Sequence, residues 1–266
     1  MVRYYRELTR LEMEAVDKEE TLVLIPVGAL EQHGNQCPLG TDEIIAEATA
    51  RRLKEALDRE IPDYPMLIFP TIPVGLSTEH INFCGSVTLK PDTFYHVLAD
   101  ICRGIAHHGF RKIAVLNCHG GNAPIIQVLS RELRSELGIA VFIINCGTFF
   151  GNQAVKDTVS PGNIWDFHGG EMETSMVLAE RPELVKMETA EAGIPKKFMG
   201  NKTFTVYGPI TLGWVSEEWE TEDGTPIGIG GDPRGATAEK GNQIYDSFVD
   251  SIMKGLVEIR KWKDAK

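Results

Sequence analysis

The stretch Thr21-Leu-Val-Leu-Ile-Pro-Val-Gly28 is a continuous apolar run. Such a run is typical of a parallel β-strand that is covered on both faces. The segment after it, residues 29–41, reads as a loop, and an amphipathic pattern from about Asp42 to Asp58 predicts a helix capped by Thr41 or Asp42. The chain therefore begins its core with a strand, a loop and a helix, which is how an α/β unit starts.

The same alternation continues along the chain as far as Asn145. Two helices are expected, at Pro91–His108 and Ala123–Leu137, together with three more strands, at Met66–Pro70, Lys112–Asn117 and Ile139–Asn145. Strands and helices at this spacing predict an α/β fold in which a mainly parallel sheet carries helices on both faces.

The pattern changes after Phe150, where strands and helices stop alternating. A helix is expected from about Gly170 to Glu180, and a final helix from about Ala236 to Trp262. Residues 195–233 are rich in Gly, Thr, Trp and Pro, and we interpret them as a β-hairpin or lobe at the rim of the active site. We expect all 266 residues to form one domain.

Composition excludes several classes of protein. The formal net charge of -11 leaves no basic excess for binding nucleic-acid phosphates. The sequence has neither an apolar stretch long enough for a membrane span nor an N-terminal signal peptide, so a cytoplasmic location is expected. Its five cysteines lack CxxC spacing, which favours reduced thiols over a disulfide framework.

Potential metal ligands gather where the predicted strands end. They are Glu31 and His33 after the first strand, Asp42 at the end of the same loop, His80 after the second strand, His119 after the third, and His168, Glu171 and Glu173 near the later helix. Ligands bind at the carboxyl ends of strands in open parallel sheets. Histidines and carboxylates together match the preferences of Zn²⁺, Mn²⁺ or Fe²⁺.

The spacing of three of these residues favours a site for two ions. Glu31 and His33 are separated by one residue, so in an extended segment their side chains project to the same side. The two oxygens of Asp42 would bridge two metal ions. A pair of ions would share and deprotonate a water molecule, which gives a metal-activated hydroxide at neutral pH.

Single members of this set have ordinary alternatives. Asp42 would serve as a helix cap, and Glu171 and Glu173 as first-turn residues favoured by the helix dipole. The turn His119-Gly-Gly-Asn122 would cradle a phosphate, although no Walker lysine accompanies it. Cys118 would act as a thiolate ligand or nucleophile, or simply as a small buried side chain.

Four blocks of sequence resemble the signature of the creatininase family. They are Pro26-Val-Gly-Ala-Leu-Glu-Gln-His-Gly-Asn-Gln-Cys-Pro-Leu-Gly-Thr-Asp42, then Ser77-Thr-Glu-His80 running into Gly85-Ser-Val-Thr-Leu89, then Asn117-Cys-His-Gly-Gly-Asn122, and finally His168-Gly-Gly-Glu-Met-Glu-Thr-Ser175. Their order and spacing agree with the family over roughly residues 20–180.

The resemblance implies a three-layer α/β/α sandwich, a binuclear metal centre and a homo-oligomer that is often hexameric. By the same resemblance, one metal would be held by Glu31, Asp42 and His119. His33 would hold the second, with Asp42 bridging. His168 matches the family histidine that shuttles protons.

The chain departs from true creatininases at the block that begins with His119. Those enzymes carry His-Tyr-Glu where this chain has a histidine followed by Gly120 and Gly121. The tyrosine that contacts creatinine is therefore absent, and so is the glutamate that holds the second metal. Glu173 or Glu171 would have to replace that glutamate.

Two other positions bear on the comparison. Cys37 stands where the family pattern has a histidine, and Trp165 would be either a substrate lid or a structural residue. These departures argue against creatinine as substrate. The His-Gly-Gly-Asn form of the block resembles instead the wider family. That family includes formamide hydrolases, a peptide-trimming enzyme and a hydrolase that cleaves C–C bonds of oxidised inositols.

The leading interpretation is a metal-dependent hydrolase that cleaves a small amide, lactam or formamide with a metal-activated hydroxide. His168 would protonate the leaving nitrogen, and Glu171 would act as base if it binds no metal. His80 would orient substrate, support the ligands or lie in the core. The alternatives are C–C hydrolysis of a cyclic diketone at the same centre, and a non-catalytic protein that binds metal or a small ligand.

Overall fold

A parallel β-sheet lies at the centre of the computed structural model, which describes residues 1–146, 156–206 and 209–262. Its strands are β1 (Val2–Tyr4), β2 (Leu22–Val27), β3 (Met66–Ile68), β4 (Lys112–Asn117) and β5 (Ala140–Asn145). They are ordered β1-β3-β2-β4-β5, and every neighbouring pair is parallel. The predicted mainly parallel sheet is confirmed.

Helices follow the strands in the expected order. Within the described ranges they are α1 (Arg10–Glu14), α2 (Thr41–Glu60), α3 (Pro91–His107), α4 (Ala123–Leu137), α5 (Glu171–Glu180) and α6 (Ala238–Lys261). None of these helices combines the length and the apolar character needed to cross a membrane.

The helices form a layer on each face of the sheet. Leu22 and Leu24 of β2 belong to the apolar cluster that includes α2, α5 and α6. Val23 and Ile25 of the same strand belong to the cluster that includes α3 and α4. Because successive residues of a strand point to opposite faces, one continuous apolar run serves both layers. The result is the three-layer α/β/α sandwich.

The ends of the helices agree with those predicted from the sequence at two points and differ from them at a third. Pro91 occupies the first turn of α3, and Gly138 ends α4 with a φ of 61° in the left-handed region. The predicted cap of α2 by Thr41 or Asp42 is wrong, because Gly40 is the N-cap and no side chain caps it. Asp42 lies inside the first turn with its carboxylate facing histidines.

Strand β1 was not expected from the sequence. It has three residues, and only Val2 among them is buried. It lies at the sheet edge and pairs with β3 alone. So short a strand carries no repeating apolar pattern from which it could have been predicted.

The region after β5 is irregular where the structure describes it. The predicted end of the alternation after Phe150 lies outside the described residues, as do residues 207 and 208 of the segment 195–233. The described part of that segment, called the lobe below, contains short 3-10 turns and isolated bridges. These bridges join Ile194 to Glu220, and Glu220 to Pro226.

Candidate metal centre

Three loops and two helices bring the predicted ligands to the carboxyl end of the sheet. Glu31 and His33 lie on the loop that leaves β2, and Asp42 lies in the first turn of α2. All three are fully or almost fully buried. The loop passes so close to the helix that a Cβ at Gly28 would lie 2.6 Å from the backbone nitrogen of Glu43, which leaves room only for glycine.

The first ligand group contains Glu31, Asp42 and His119. Nδ1 of His119 lies 3.2 Å from Oε1 of Glu31 and 3.2 Å from Oδ2 of Asp42. The ring of His119 comes from the loop after β4, whereas the two carboxylates come from the loop after β2 and from α2. These three side chains can surround one ion.

The second group contains His33, Asp42 and Glu173. Nε2 of His33 lies 3.3 Å from Oδ1 of Asp42 and 3.6 Å from Oε2 of Glu173. Asp42 thus belongs to both groups and directs a different oxygen toward each. This is the arrangement expected of a carboxylate that bridges two ions.

Backbone carbonyls fix the hydrogens of both ligand histidines. Nδ1 of His33 donates to the backbone oxygen of Glu31 at 3.1 Å, and Nε2 of His119 donates to the backbone oxygen of Leu76. A carbonyl only accepts, so in each neutral ring the other nitrogen carries a lone pair. Those lone pairs face the carboxylates. Histidines that bind metals are usually held in this way.

The charges of the site favour bound cations. Burial lowers the pKa of His33, but the charges of Asp42, Glu173 and Glu31 outweigh that effect and raise it to about 9. Burial raises the pKa of Glu173 to about 7, although His33 opposes this. Without metal, protons must therefore neutralise part of the cluster, and divalent ions would replace them.

Unpaired atoms support the same conclusion. Among the described residues, both carboxylate oxygens of Glu31, Oδ2 of Asp42 and Nε2 of His33 are buried without a hydrogen-bond partner. Burying a carboxylate without a partner costs several kcal/mol or more. The donor set of carboxylates and imidazoles suits Zn²⁺, Mn²⁺ or Fe²⁺, so the residues present fit divalent ions.

His168 lies beside the first group and forms a third possible ligand group with Glu31 and His33. Its Nε2 donates to the backbone oxygen of Gln32 at 2.9 Å, so the neutral ring directs the lone pair of Nδ1 toward the centre. That nitrogen lies 3.6 Å from Oε1 of Glu31. Burial and the nearby His80 and His33 hold the pKa of His168 well below its usual value. The ring is therefore neutral, with its lone pair on Nδ1.

His80 also belongs to this centre. Its ring stacks on that of His168 with centroids 4.0 Å apart, and its Nε2 lies 3.4 Å from Oε1 of Glu31. From the lobe, Ser216 hydrogen-bonds to Nδ1 of His80, and the Trp214 ring meets the imidazole edge-on. Of the three roles considered for His80, support of a ligand is the one that its position favours.

Glu171 and Glu173 lie on different sides of α5. Residues two apart on a helix do not face the same direction. The Glu171 carboxylate accepts hydrogen bonds from Lys240, from the side chain of Asn163, and from both the backbone and the hydroxyl of Ser160. It is not in any of the ligand groups found among the described residues. The structure therefore does not bring Glu171 to the centre, and a role as ligand or base is not supported.

Comparison with known proteins agrees with this geometry. The sequence model of the family described as "Creatininase: Creatinine amidohydrolase" matches residues 6–256. The chain belongs to the creatininase family. The structure titled "Creatininase Mn" superposes with a TM-score of 0.76 at 27% identity and covers 96% of this chain and 97% of its own.

Relatives with different names share the family. The Mycofactocin precursor peptide peptidase of Mycobacterium ulcerans is 31% identical over 90% of this chain and 85% of its own length. Creatinine amidohydrolase of Pseudomonas putida is 31% identical over 75% of this chain and 80% of its own. The 3-dehydro-scyllo-inosose hydrolase of Thermotoga maritima is 26% identical over 96% of this chain and 83% of its own. This member of the creatininase family is a hydrolase.

Gly121 has no room for a side chain. A Cβ at Gly121 would lie 2.5 Å from Nε2 of His119 and 2.7 Å from the backbone oxygen of Leu76. A side chain at this position would therefore disturb the hydrogen bond that anchors the His119 ring. Glu173 occupies the second ligand group from a separate helix.

The remaining candidates lie apart from the ligand groups. Sγ of Cys118 lies 3.1 Å from Sγ of Cys146, and burial holds the pKa of the Cys118 thiol well above its usual value, which does not favour a thiolate. Cys37 hydrogen-bonds to Thr174, and all five cysteines are free. Trp165 packs edge-on against Trp219 of the lobe.

Sequence reasoning gave no role to Gln32 or Ser216, although both touch the histidines of the site. Gln32 lies between two ligands in the first signature block, and this position is the one feature of the sequence that could have indicated a role in the site. Ser216 belongs to the lobe, which is distant in sequence from every ligand. Only the folded chain shows that it contacts His80.

Proposed function

We propose that this protein is a metal-dependent hydrolase that cleaves the non-peptide C–N bond of a small amide, lactam or formamide. The observation that carries the proposal is the pair of ligand groups that share Asp42, with the neutral ring of His168 beside them. One divalent ion would be held by Glu31, Asp42 and His119, and a second by His33, Asp42 and Glu173. Zn²⁺, Mn²⁺ or Fe²⁺ bound there would activate water and polarise the substrate carbonyl.

His168 moves the proton in this proposal. Its lone pair on Nδ1 faces the centre, while its backbone exchanges hydrogen bonds with Gly230 of the lobe. The ring can accept a proton from the attacking water and deliver it to the leaving nitrogen. The products are then a carboxylic acid and an amine. General acid–base catalysis of this kind typically contributes about 10²–10⁴-fold to the rate.

The lobe completes the site on one side. Trp214 and Ser216 contact His80, and Gly228 accepts a hydrogen bond from the Gln32 side chain. These contacts support our interpretation of residues 195–233 as a rim element that orients the imidazoles. The homo-oligomer implied by the family resemblance stays a prediction, which light scattering on the purified protein would test.

A second candidate is hydrolysis of a C–C bond in a cyclic diketone. The observation that favours it is the relative named 3-dehydro-scyllo-inosose hydrolase, which aligns with 96% of this chain. In that reaction an enolate leaves, so His168 would deliver its proton to carbon or oxygen instead of nitrogen. The residues of the centre would be the same, and only the substrate separates the two candidates.

The test is turnover against a panel of substrates. Purified protein loaded with Zn²⁺, Mn²⁺ or Fe²⁺ is offered formamides, lactams, a short peptide and cyclic diketones, with the Asp42→Asn variant as control. Release of amine from a formamide or lactam supports the first candidate, cleavage of the peptide contradicts its restriction to non-peptide bonds, and loss of enol absorbance supports the second. If the fully loaded protein turns over no member of the panel, the catalytic proposal fails in favour of a binding role.

A further inference from the structure

Gln32 lies between the ligands Glu31 and His33 and is itself buried. Its backbone is held at both ends, because its nitrogen donates to Oγ of Ser86 at 3.0 Å and its oxygen accepts from Nε2 of His168 at 2.9 Å. Its side-chain oxygen accepts from the backbone N–H of Gly34, and an amide nitrogen does not bind metals. The amide nitrogen lies instead against the two stacked imidazoles of His80 and His168.

The orientation of the amide is fixed by two backbone groups. Its Oε1 accepts from the backbone N–H of Gly34 at 2.9 Å, and its Nε2 donates to the backbone oxygen of Gly228. A flipped amide would face a carbonyl with its oxygen and an N–H with its nitrogen, and both contacts would be repulsive. The second hydrogen of Nε2 is thus directed to the space between His80 and His168.

Only one of the two rings can accept that hydrogen. Nε2 of His168 lies 3.2 Å from the amide nitrogen, but it already carries a hydrogen, since it donates to the carbonyl of Gln32. Nδ1 of His80 lies 3.1 Å from the same nitrogen and is the remaining acceptor. In the neutral ring, the hydrogen of His80 is therefore on Nε2, the atom that lies 3.4 Å from Oε1 of Glu31.

The contact of Ser216 with the same ring is compatible with this assignment. Its hydroxyl lies within hydrogen-bond distance of Nδ1 of His80 and 2.8 Å from the backbone oxygen of Glu79. The single hydroxyl hydrogen can go to either acceptor. The assignment requires that the hydroxyl donates to Nδ1 of His80, because donation to Glu79 alone would make Oγ the acceptor of a hydrogen on Nδ1.

We propose that Gln32 is a positioning residue that makes the two stacked imidazoles present opposite groups to Glu31. His80 presents an N–H on the atom that lies 3.4 Å from Oε1 of Glu31. His168 presents a lone pair, which leaves it as the ring that accepts and delivers the proton. The assignment of His168 to proton transfer rests on the proposed function, whereas the placement of hydrogens rests on the contacts of Gln32 and Ser216.

Substitution of glutamate for Gln32 keeps the size of the side chain, reverses the hydrogen bond to His80 and removes the one donated to Gly228. Gln32→Glu has no hydrogen to donate, so Nδ1 of His80 gains one and the His80–Glu31 contact is altered. Gln127→Glu is the matched control, because Gln127 is exposed on α4. We expect kcat of Gln32→Glu to fall about 10- to 100-fold, the range found when partners of metal ligands are removed. KM should change much less, and the control should match the wild type.

Neutron diffraction from deuterium-exchanged crystals gives a readout that does not depend on activity. The expected wild-type map has deuterium on Nε2 of both His80 and His168 and none on either Nδ1. In Gln32→Glu, deuterium should appear on Nδ1 of His80. Deuterium on Nδ1 of His80 in the wild type would overturn the proposal, and so would an unchanged kcat in Gln32→Glu. If the hydrolase proposal itself fails and no substrate is found, the wild-type map still decides.

Discussion

Glu171 and Glu173 lie two residues apart on α5, and replacing each by glutamine separates metal binding from stability. Glu173→Gln removes a charged oxygen from the second ligand group. In the wild type, Oε2 of Glu173 lies 3.6 Å from Nε2 of His33. The glutamine can still accept from the backbone N–H of Gly169, which donates to Oε2 at 2.6 Å in the wild type. The helix should therefore stay folded while the second ion is lost.

The expected loss of metal affinity is large. Removing a partner that only supports a metal ligand typically costs 10–100-fold in affinity. Glu173 is itself a predicted ligand, so the second ion should bind at least about 100-fold more weakly in Glu173→Gln. The ion held by Glu31, Asp42 and His119 should remain, because Glu173 belongs only to the second group and Asp42, which is shared, is unchanged.

Glu171→Gln should have the opposite effect. Its carboxylate is buried and pairs with Lys240, which is 27% exposed, and it also accepts from Ser160 and Asn163. Loss of one charge-assisted hydrogen bond of this kind costs about 2 kcal/mol. For a chain of this size the melting temperature should then fall by about 4–8 °C. Both ions should remain bound.

Two measurements on the same preparations decide which glutamate binds metal and which stabilises the fold. Elemental analysis after dialysis gives the ions retained per chain, and differential scanning calorimetry in the presence of chelator gives the melting temperature of the metal-free protein. We expect one ion and a nearly unchanged metal-free melting temperature for Glu173→Gln. A Glu171→Gln variant that loses an ion, beside a Glu173→Gln variant that keeps both, would refute the assignment.

Three further predictions concern the remaining residues of the centre. Asp42→Asn should lose both ions, because the two oxygens of Asp42 face different ligand groups; two retained ions by elemental analysis would contradict the bridging role. His168→Asn should keep its ions and lose about 10²–10⁴-fold in kcat, as expected when a general acid–base is removed; steady-state kinetics with unchanged kcat would exclude proton transfer by this ring. Because His33 has a pKa of about 9 without metal, it is protonated at pH 8 and must release a proton on binding. Metal affinity should then rise with pH up to about 9. Calorimetric heats that are identical in buffers of different ionisation enthalpy would show that no proton is released.

The sequence by itself determined strands β2 to β5 and the loops that carry the ligands, but not the edge strand β1. The run at β2 is apolar throughout, and that at β4 is apolar from Ile113 to Leu116. The signature blocks place Glu31, His33 and His119 directly after these strands. Because parallel strands end at the same edge of a sheet, convergence of these side chains could be predicted before any coordinates were known.

Only the tertiary structure decided which of two glutamates faces the centre and how the histidines are held. Glu171 and Glu173 both lie in the first turn of α5, and the choice depends on the rotation of that helix against α6, which supplies Lys240. The hydrogens of the imidazoles depend on Gln32 and on Ser216, which lie far apart in the chain. Local patterns record which side of a segment is buried, whereas these contacts join segments whose relative position is set by packing of the whole domain.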